Sequence, residues 1–132
     1  MTILRSLPGV GRIVLATLLA EASAPLRRRD YHALRTLSGV APVTKRSGKR
    51  CIVIMRQACQ MRLRGAVYHW ARVAIQHDEL SRRRYAEFRK RGHSHGRALR
   101  GVADRLLAVA CAMLAHQAAF DPGYRRAQAA AA

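Results

Sequence analysis

Leu7-Pro8-Gly9-Val10-Gly11 is the stretch on which the fold turns. A proline and two glycines interrupt apolar sequence on both sides. Residues 2–7 read as one short helix ended by Pro8-Gly9, and residues 10–22 as a second. In the second, Val10, Ile13, Val14, Thr17, Leu18 and Glu21 recur at helical spacing. Two helices around a Gly-rich turn make a helix-hairpin-helix over residues 2–22. Such a turn offers backbone N–H groups at a helix start, a site suited to phosphate. It also serves as a plain connector between packed helices, and the residues alone leave both readings open. The phosphate reading takes in Pro8, Gly9, Val10 and Gly11, with Gly9 and Gly11 supplying close approach or a positive φ.

Outward from this turn, Pro25 and the run Arg27-Arg28-Arg29 mark a loop. Asp30 suits the N-cap of a short helix carrying Tyr31, Leu34 and Leu37, with Gly39 as terminator. Residues 40–50 look irregular, while Ile52-Val53-Ile54 is short and β-branched, compatible with a strand. A small β-hairpin near residues 43–54 would carry Ser47-Gly48 at its tip. From Met61 the helical period returns, with Leu63, Val67, Trp70, Val73 and Ala74 on one face and Arg62, His69, Arg72 and Gln76 on the other. Residues 80–90 form a strongly basic helix that Tyr85 and Phe88 anchor, followed by a loop over residues 91–96. Residues 97–119 make the longest helix, whose seam Leu99, Val102, Leu106, Val109 and Met113 packs either inside the domain or against a partner helix. The expected architecture is mainly α: a helix-hairpin-helix followed by a helical bundle in one domain of residues 1–120, with a frayed tail over residues 121–132.

The charge is extreme. In 132 residues there are 25 Lys and Arg against seven acids, a net charge of +18, and the pI is near 11.7. The acids Glu21, Asp30, Asp78, Glu79, Glu87, Asp104 and Asp121 cannot balance that excess locally, which favours a polyanion partner through phosphate neutralisation. Arg far outnumbers Lys, so codon bias contributes as well. Half of the residues are hydrophobic, which excludes a disordered basic tail. Cys51, Cys59 and Cys111 are odd in number and form no Cys-x-x-Cys pair, a pattern of free thiols in a reducing cytoplasm. His93 and His95 with these cysteines match no structural zinc spacing. No apolar run reaches the length of a membrane span. The segment from Arg5 to Ala24 imitates a secretory signal, but Pro8-Gly9 interrupts it and Glu21 precedes its Ala22-Ser23-Ala24 cleavage-like site.

The second chemical motif is Thr44-Lys45-Arg46-Ser47-Gly48-Lys49-Arg50, a small hydroxyl between paired cations. By spacing alone it is a Ser-Gly turn in basic surroundings. A nucleophilic role would need activation, because a free serine hydroxyl is protonated at neutral pH. Lys45, Arg46, Lys49 and Arg50 would stabilise charge on a phosphate rather than act as bases. The runs Arg82-Arg83-Arg84 and Arg89-Lys90-Arg91 read as solvated faces or as a phosphate-tracking helix.

In order, Leu7-Pro8-Gly9-Val10-Gly11, Leu19-Ala20-Glu21, Leu37-Ser38-Gly39-Val40-Ala41-Pro42, Ser47-Gly48-Lys49, then Leu63-Arg64, Val67-Tyr68 and Ala71 resemble the insertion-sequence 110/116/902 transposases. The likeness is to the family's carboxyl-terminal transposase domain and covers nearly the whole chain. It departs from the family pattern at Ala58-Cys59-Gln60, ahead of Leu63-Arg64. The resemblance implies a DNA recombinase in which Ser47 matches the serine nucleophile. Pro8, Gly9, Val10, Gly11, Lys45, Arg46, Gly48, Lys49, Arg50 and Arg64 are then the nucleic-acid contacts. It further implies an amino-terminal RuvC-like domain with an Asp-Glu-Asp-Asp cluster holding divalent metal (magnesium), a guide RNA encoded by the element, and a homo-oligomer. The scattered acids of this chain do not form that cluster, so the expectation is a truncated or split copy without catalysis of its own, in the cytoplasm, with DNA as its partner. The alternative is a non-catalytic basic helical protein that binds nucleic acid.

Overall fold

A computed structural model describes residues 2–41, 43–47, 50–54 and 60–120. Its elements run α1 (Thr2–Arg5), α2 (Arg12–Glu21), α3 (Ser23–Arg28), α4 (Tyr31–Leu37), β1 (Val43–Ser47), β2 (Arg50–Ile54), α5 (Met61–His77), α6 (Glu79–Lys90) and α7 (His95–His116). The fold is mainly helical, as the periodicity indicates.

Two helices with long apolar stripes build the core. Leu63, Val67, Trp70, Ala71 and Ala74 of α5 meet Val102, Leu106, Leu107 and Ala110 of α7, and Val14, Leu15 and Leu18 of α2 close the other side of α5. Trp70, Leu63, Val67, Leu106 and Leu18 are almost fully buried, each burial being worth about 1.5–3 kcal/mol. The α7 seam is satisfied within the domain: Leu99, Val102, Leu106 and Met113 are buried and Val109 packs at the edge. Tyr85 and Phe88 anchor α6 to the same core. Trp70 is a core residue and not an exposed stacking platform.

Local caps set several boundaries. The Asp30 carboxylate accepts the Ala33 amide at 3.0 Å and starts α4, and Gly39 at φ 79 follows its end. Ser94 accepts the Arg97 amide, so α7 begins at His95 rather than Arg97. It stops at Gln117, which is left-handed at φ 52, short of the expected residue 119.

Two further expectations are corrected. Pro25 and the arginines after it do not form a loop but lie in and beside α3. Pro25 is the third residue of that helix, inside the first turn, where no intrahelical N–H is required. It buries with Leu26, and the left-handed Arg29 ends the helix. The second correction concerns α2, which begins at Arg12 rather than residue 10. Its buried face is Val14, Leu15 and Leu18, while Ile13 is 81% exposed. The turn keeps Val10 outside the helix, and packing on α5 selects Leu15 over Ile13.

The hairpin is present as an antiparallel pair with the register Val43↔Ile54, Thr44↔Val53, Lys45↔Ile52, Arg46↔Cys51 and Ser47↔Arg50. The chain before the hairpin and the start of α5 after it are both tied to α4. The Val40 and Ala41 amides donate to the Arg35 carbonyl, and the Gln60 amide donates to the Leu37 carbonyl at 2.8 Å. Gln60 then caps α5 by accepting the Leu63 amide and donates from its own amide group to Glu21. One residue thus joins the ends of α2 and α4 to the start of α5.

Candidate nucleic-acid interface

The turn between α1 and α2 is held rigidly against α5. Trp70 Nε1 donates to the Pro8 carbonyl at 2.7 Å. Gly9, at φ 83, presses on the α5 backbone: a Cβ there would lie 3.0 Å from the Trp70 carbonyl oxygen and 3.1 Å from the Ala74 nitrogen. Gly9 is therefore required both by its backbone conformation and by the space available to it. Gly11 differs. It is the N-cap of α2 at φ −91, with nothing within 4 Å of a Cβ built on it.

No side chain caps α2. The amides of its first turn are not used by the helix itself, and the helix dipole adds partial positive charge there. An open groove of about 810 Å³ lies over this helix start, lined by residues 9–14 with His69 and Val73 of α5. Arg12 supplies a full charge at its edge. The groove can accept an anionic oxygen on backbone N–H groups, and exposed Ile13 gives it an apolar rim.

The basic hairpin is a separate element. Lys45, Arg46 and Ser47 lie on β1 and Arg50 on β2, where Ser47 and Arg50 are backbone partners at the end of the ladder. Gly48 and Lys49 lie outside the described residues, as do Ala58, Cys59 and the tail expected over residues 121–132. Arg64 sits half-buried on α5 with its guanidinium 5.5 Å from the centre of the Tyr68 ring. Nine residues before Val73, it faces the opposite side of α5 from the groove. Pro8, Gly9, Val10 and Gly11 are thus brought together, whereas Arg64 stands apart from them.

A third basic region escaped the sequence reading. Arg35, Arg84, Arg97, Arg100 and Arg105 line one cleft with Asp104 and Tyr31. The Tyr31 hydroxyl donates to the Asp104 carboxylate, and Arg35 donates to it at 2.9 Å. Burial, reinforced by the hydrogen bond and charge of Asp104, pushes the Tyr31 hydroxyl up to about 12, so it stays a donor at neutral pH. One signal was legible in the chain: Arg97, Arg100 and Asp104 follow helical spacing opposite the apolar seam.

Among the described residues, no three His, Cys, Asp or Glu side chains gather where they could hold a metal ion. These residues do not fit a divalent cation. His93 stacks on Phe88, with ring centres 5.4 Å apart; His95 pairs with the Tyr85 hydroxyl at 2.7 Å. The Cys111 thiol is buried, which pushes its pKa up with help from Asp30. No described helix is long and apolar enough to cross a membrane.

Comparison with known proteins agrees with the motif order. The profile of the Transposase IS116/IS110/IS902 family matches residues 1–86. The chain is 35% identical over 106 residues to the IS117 mini-circle protein of Streptomyces coelicolor, whose name describes a transposase; the match covers 80% of this chain and 26% of that protein. It is 33% identical over 121 residues to an uncharacterized 44.8 kDa protein of insertion element IS116 from Streptomyces clavuligerus, covering 91% of this chain and 30% of the relative. A 42 kDa uncharacterized protein of insertion element IS900 from Mycobacterium paratuberculosis is 33% identical over 129 residues, covering 96% and 32%. The matches therefore span between 26% and 32% of the length of these relatives. On the family match and these identities together, the chain belongs to the IS116/IS110/IS902 transposase family.

Proposed function

We propose that this chain acts on DNA as the phosphate-holding, serine-bearing part of an insertion-sequence transposase. The observation that carries the reading is membership of a transposase family by a folded helical domain with a net charge of +18. The helix-hairpin-helix turn holds one backbone phosphate on the uncapped start of α2. The basic hairpin holds the strand to be cut.

In the chemistry so assigned, the Ser47 oxygen attacks a phosphorus of the DNA backbone. A bond forms between serine oxygen and phosphorus as the bond to the departing sugar oxygen breaks. The serine proton is released, and the departing oxygen takes one up. Lys45, Arg46, Lys49 and Arg50 offset the charge that builds on the phosphate oxygens. The same reading gives the chain DNA and a guide RNA as partners, further copies of itself in the active assembly, and a place in the cytoplasm.

The test is a covalent one. The chain, joined to the amino-terminal domain of a longer family member, is incubated with magnesium and a nicked duplex carrying the element end. A denaturing gel then reads the protein–DNA adduct. The reading predicts an adduct from the wild type and none from Ser47→Ala, with DNA binding retained by both. Equal adduct from both proteins removes Ser47 as nucleophile. DNA binding with no adduct from either leaves the non-catalytic nucleic-acid-binding protein as the reading that stands.

A further inference from the structure

The arginine cleft is lined by residues of α4, α6 and α7 together with Val40 and His93. Arg35 reaches it from α4, Arg84 from α6, and Arg97, Arg100 and Arg105 from α7. Its single carboxylate, Asp104, is already engaged by Tyr31 and Arg35. Five guanidinium groups against one carboxylate leave a surplus of four positive charges (5 − 1) around about 460 Å³ of space. A concave wall of one sign concentrates the field and draws in anions.

Part of the wall is apolar. Phe88 lies over Gly101, where a Cβ would come within 2.6 Å of the ring, so α6 and α7 approach closely. His93 stacks on the same ring at 12° between planes. Desolvation lowers the His93 pKa, with Arg97 and Arg91 adding to the effect, and the ring stays neutral at pH 7. The cleft therefore pairs fixed guanidinium charge with a flat ring edge.

Arg97 and Arg105 are eight residues apart on α7, about 12 Å along the helix. Successive phosphates of one strand advance roughly 3.4 Å along the duplex axis, so this row spans about three of them. Guanidinium groups suit phosphate oxygens because their N–H forks bind two at once.

We infer that this cleft is a second nucleic-acid contact, in which Arg97, Arg100 and Arg105 track the sugar–phosphate backbone of one strand and Arg35 and Arg84 close the inner side. The inference rests on the nucleic-acid reading above and assigns it a surface that neither the turn nor the hairpin provides. Arg35 also pairs with the Asp104 carboxylate at 2.9 Å, which offsets that group's repulsion of an incoming phosphate.

The experiment compares binding of a fluorescent 20-base-pair duplex, and of a single-stranded RNA of equal length, by three forms of the full chain. These are the wild type, Arg97→Gln with Arg105→Gln in the cleft, and Arg27→Gln with Arg28→Gln on α3 as a control of equal charge. All four arginines are exposed, and helical circular dichroism is recorded alongside. The cleft variant should bind roughly tenfold more weakly or worse, and the control within about threefold of the wild type. Equal loss in both variants overturns the inference, because the affinity is then diffuse. A cleft variant that binds like the wild type overturns it too. A second readout needs no variant: phenylglyoxal labelling of the wild type, mapped by mass spectrometry, should show Arg97 and Arg105 protected by the bound duplex. Equal labelling with and without DNA contradicts the inference. Failure of the wild type to bind any nucleic acid is a separate outcome, which removes the underlying reading and this cleft with it.

Discussion

The indole Nε1 of Trp70 donates to the Pro8 carbonyl oxygen at 2.7 Å, joining positions 62 residues apart. The Gly-rich turn is thereby locked onto the largest fully buried side chain of α5, and its glycines have unequal roles. Gly9→Ala would put a methyl group against the α5 backbone at a positive φ, at a cost of about 1–3 kcal/mol. Gly11→Ala meets no neighbour and an ordinary φ, so its cost should stay below about 1 kcal/mol. Urea unfolding of the two variants checks the ranking. Equal stability would mean that the turn is not pressed on α5.

Gly11→Ser separates binding from folding. A serine at the N-cap would accept one of the open amides of the first turn of α2, raising stability by a few tenths of a kcal/mol. The same bond occupies an amide assigned to phosphate. Thermal melting should rise slightly while the DNA dissociation constant increases. Unchanged affinity with the higher melting point would show that the start of α2 does not hold phosphate.

The Tyr31–Asp104 contact predicts an alkaline dependence of stability. In the folded chain the Tyr31 hydroxyl titrates at about 12, against 10.0 for an unperturbed phenol. The protonated form is thus favoured by folding: its stabilisation is complete below pH 10 and is lost as pH rises through 12. Tyr31→Phe lacks that proton. It should be less stable than the wild type by about 1 kcal/mol at pH 7, and the difference should shrink between pH 10 and 12. A constant difference across that range would contradict the hydrogen bond to Asp104.

Periodicity carried most of the fold. The apolar spacing of Leu63, Val67, Trp70 and Ala74, and of Leu99, Val102 and Leu106, is what α5 and α7 bury. Asp30 and Gly39 mark the ends of α4 where local chemistry requires them. The failures have local causes too. Pro25 was read as a breaker, although the first turn of a helix accepts proline without losing a bond. Val10 and Ile13 share the helical spacing of Val14 and Leu18, yet α2 begins at Arg12 and its buried face takes Leu15 instead of Ile13.

The site was legible where it is contiguous. Gly9, Val10 and Gly11 are neighbours in the chain and line the groove together, with Pro8 just before them. The arginine cleft was not, because Arg35, Arg84 and Arg97 belong to three helices, and only the packing of α4 and α6 on α7 brings them together. Gly101, whose missing side chain makes room for Phe88, looks in the sequence like any other helix glycine.

The salt dependence of DNA binding tests the central claim most directly. The dissociation constant of the full chain for a labelled duplex is measured from 50 to 200 mM salt, and its logarithm is plotted against the logarithm of salt concentration. About three phosphates along α7 alone would give a slope for log affinity of roughly −2.7, and contacts at the turn and hairpin steepen it. The account predicts a straight line at least that steep. A flat line, or no binding at 50 mM salt, would contradict it.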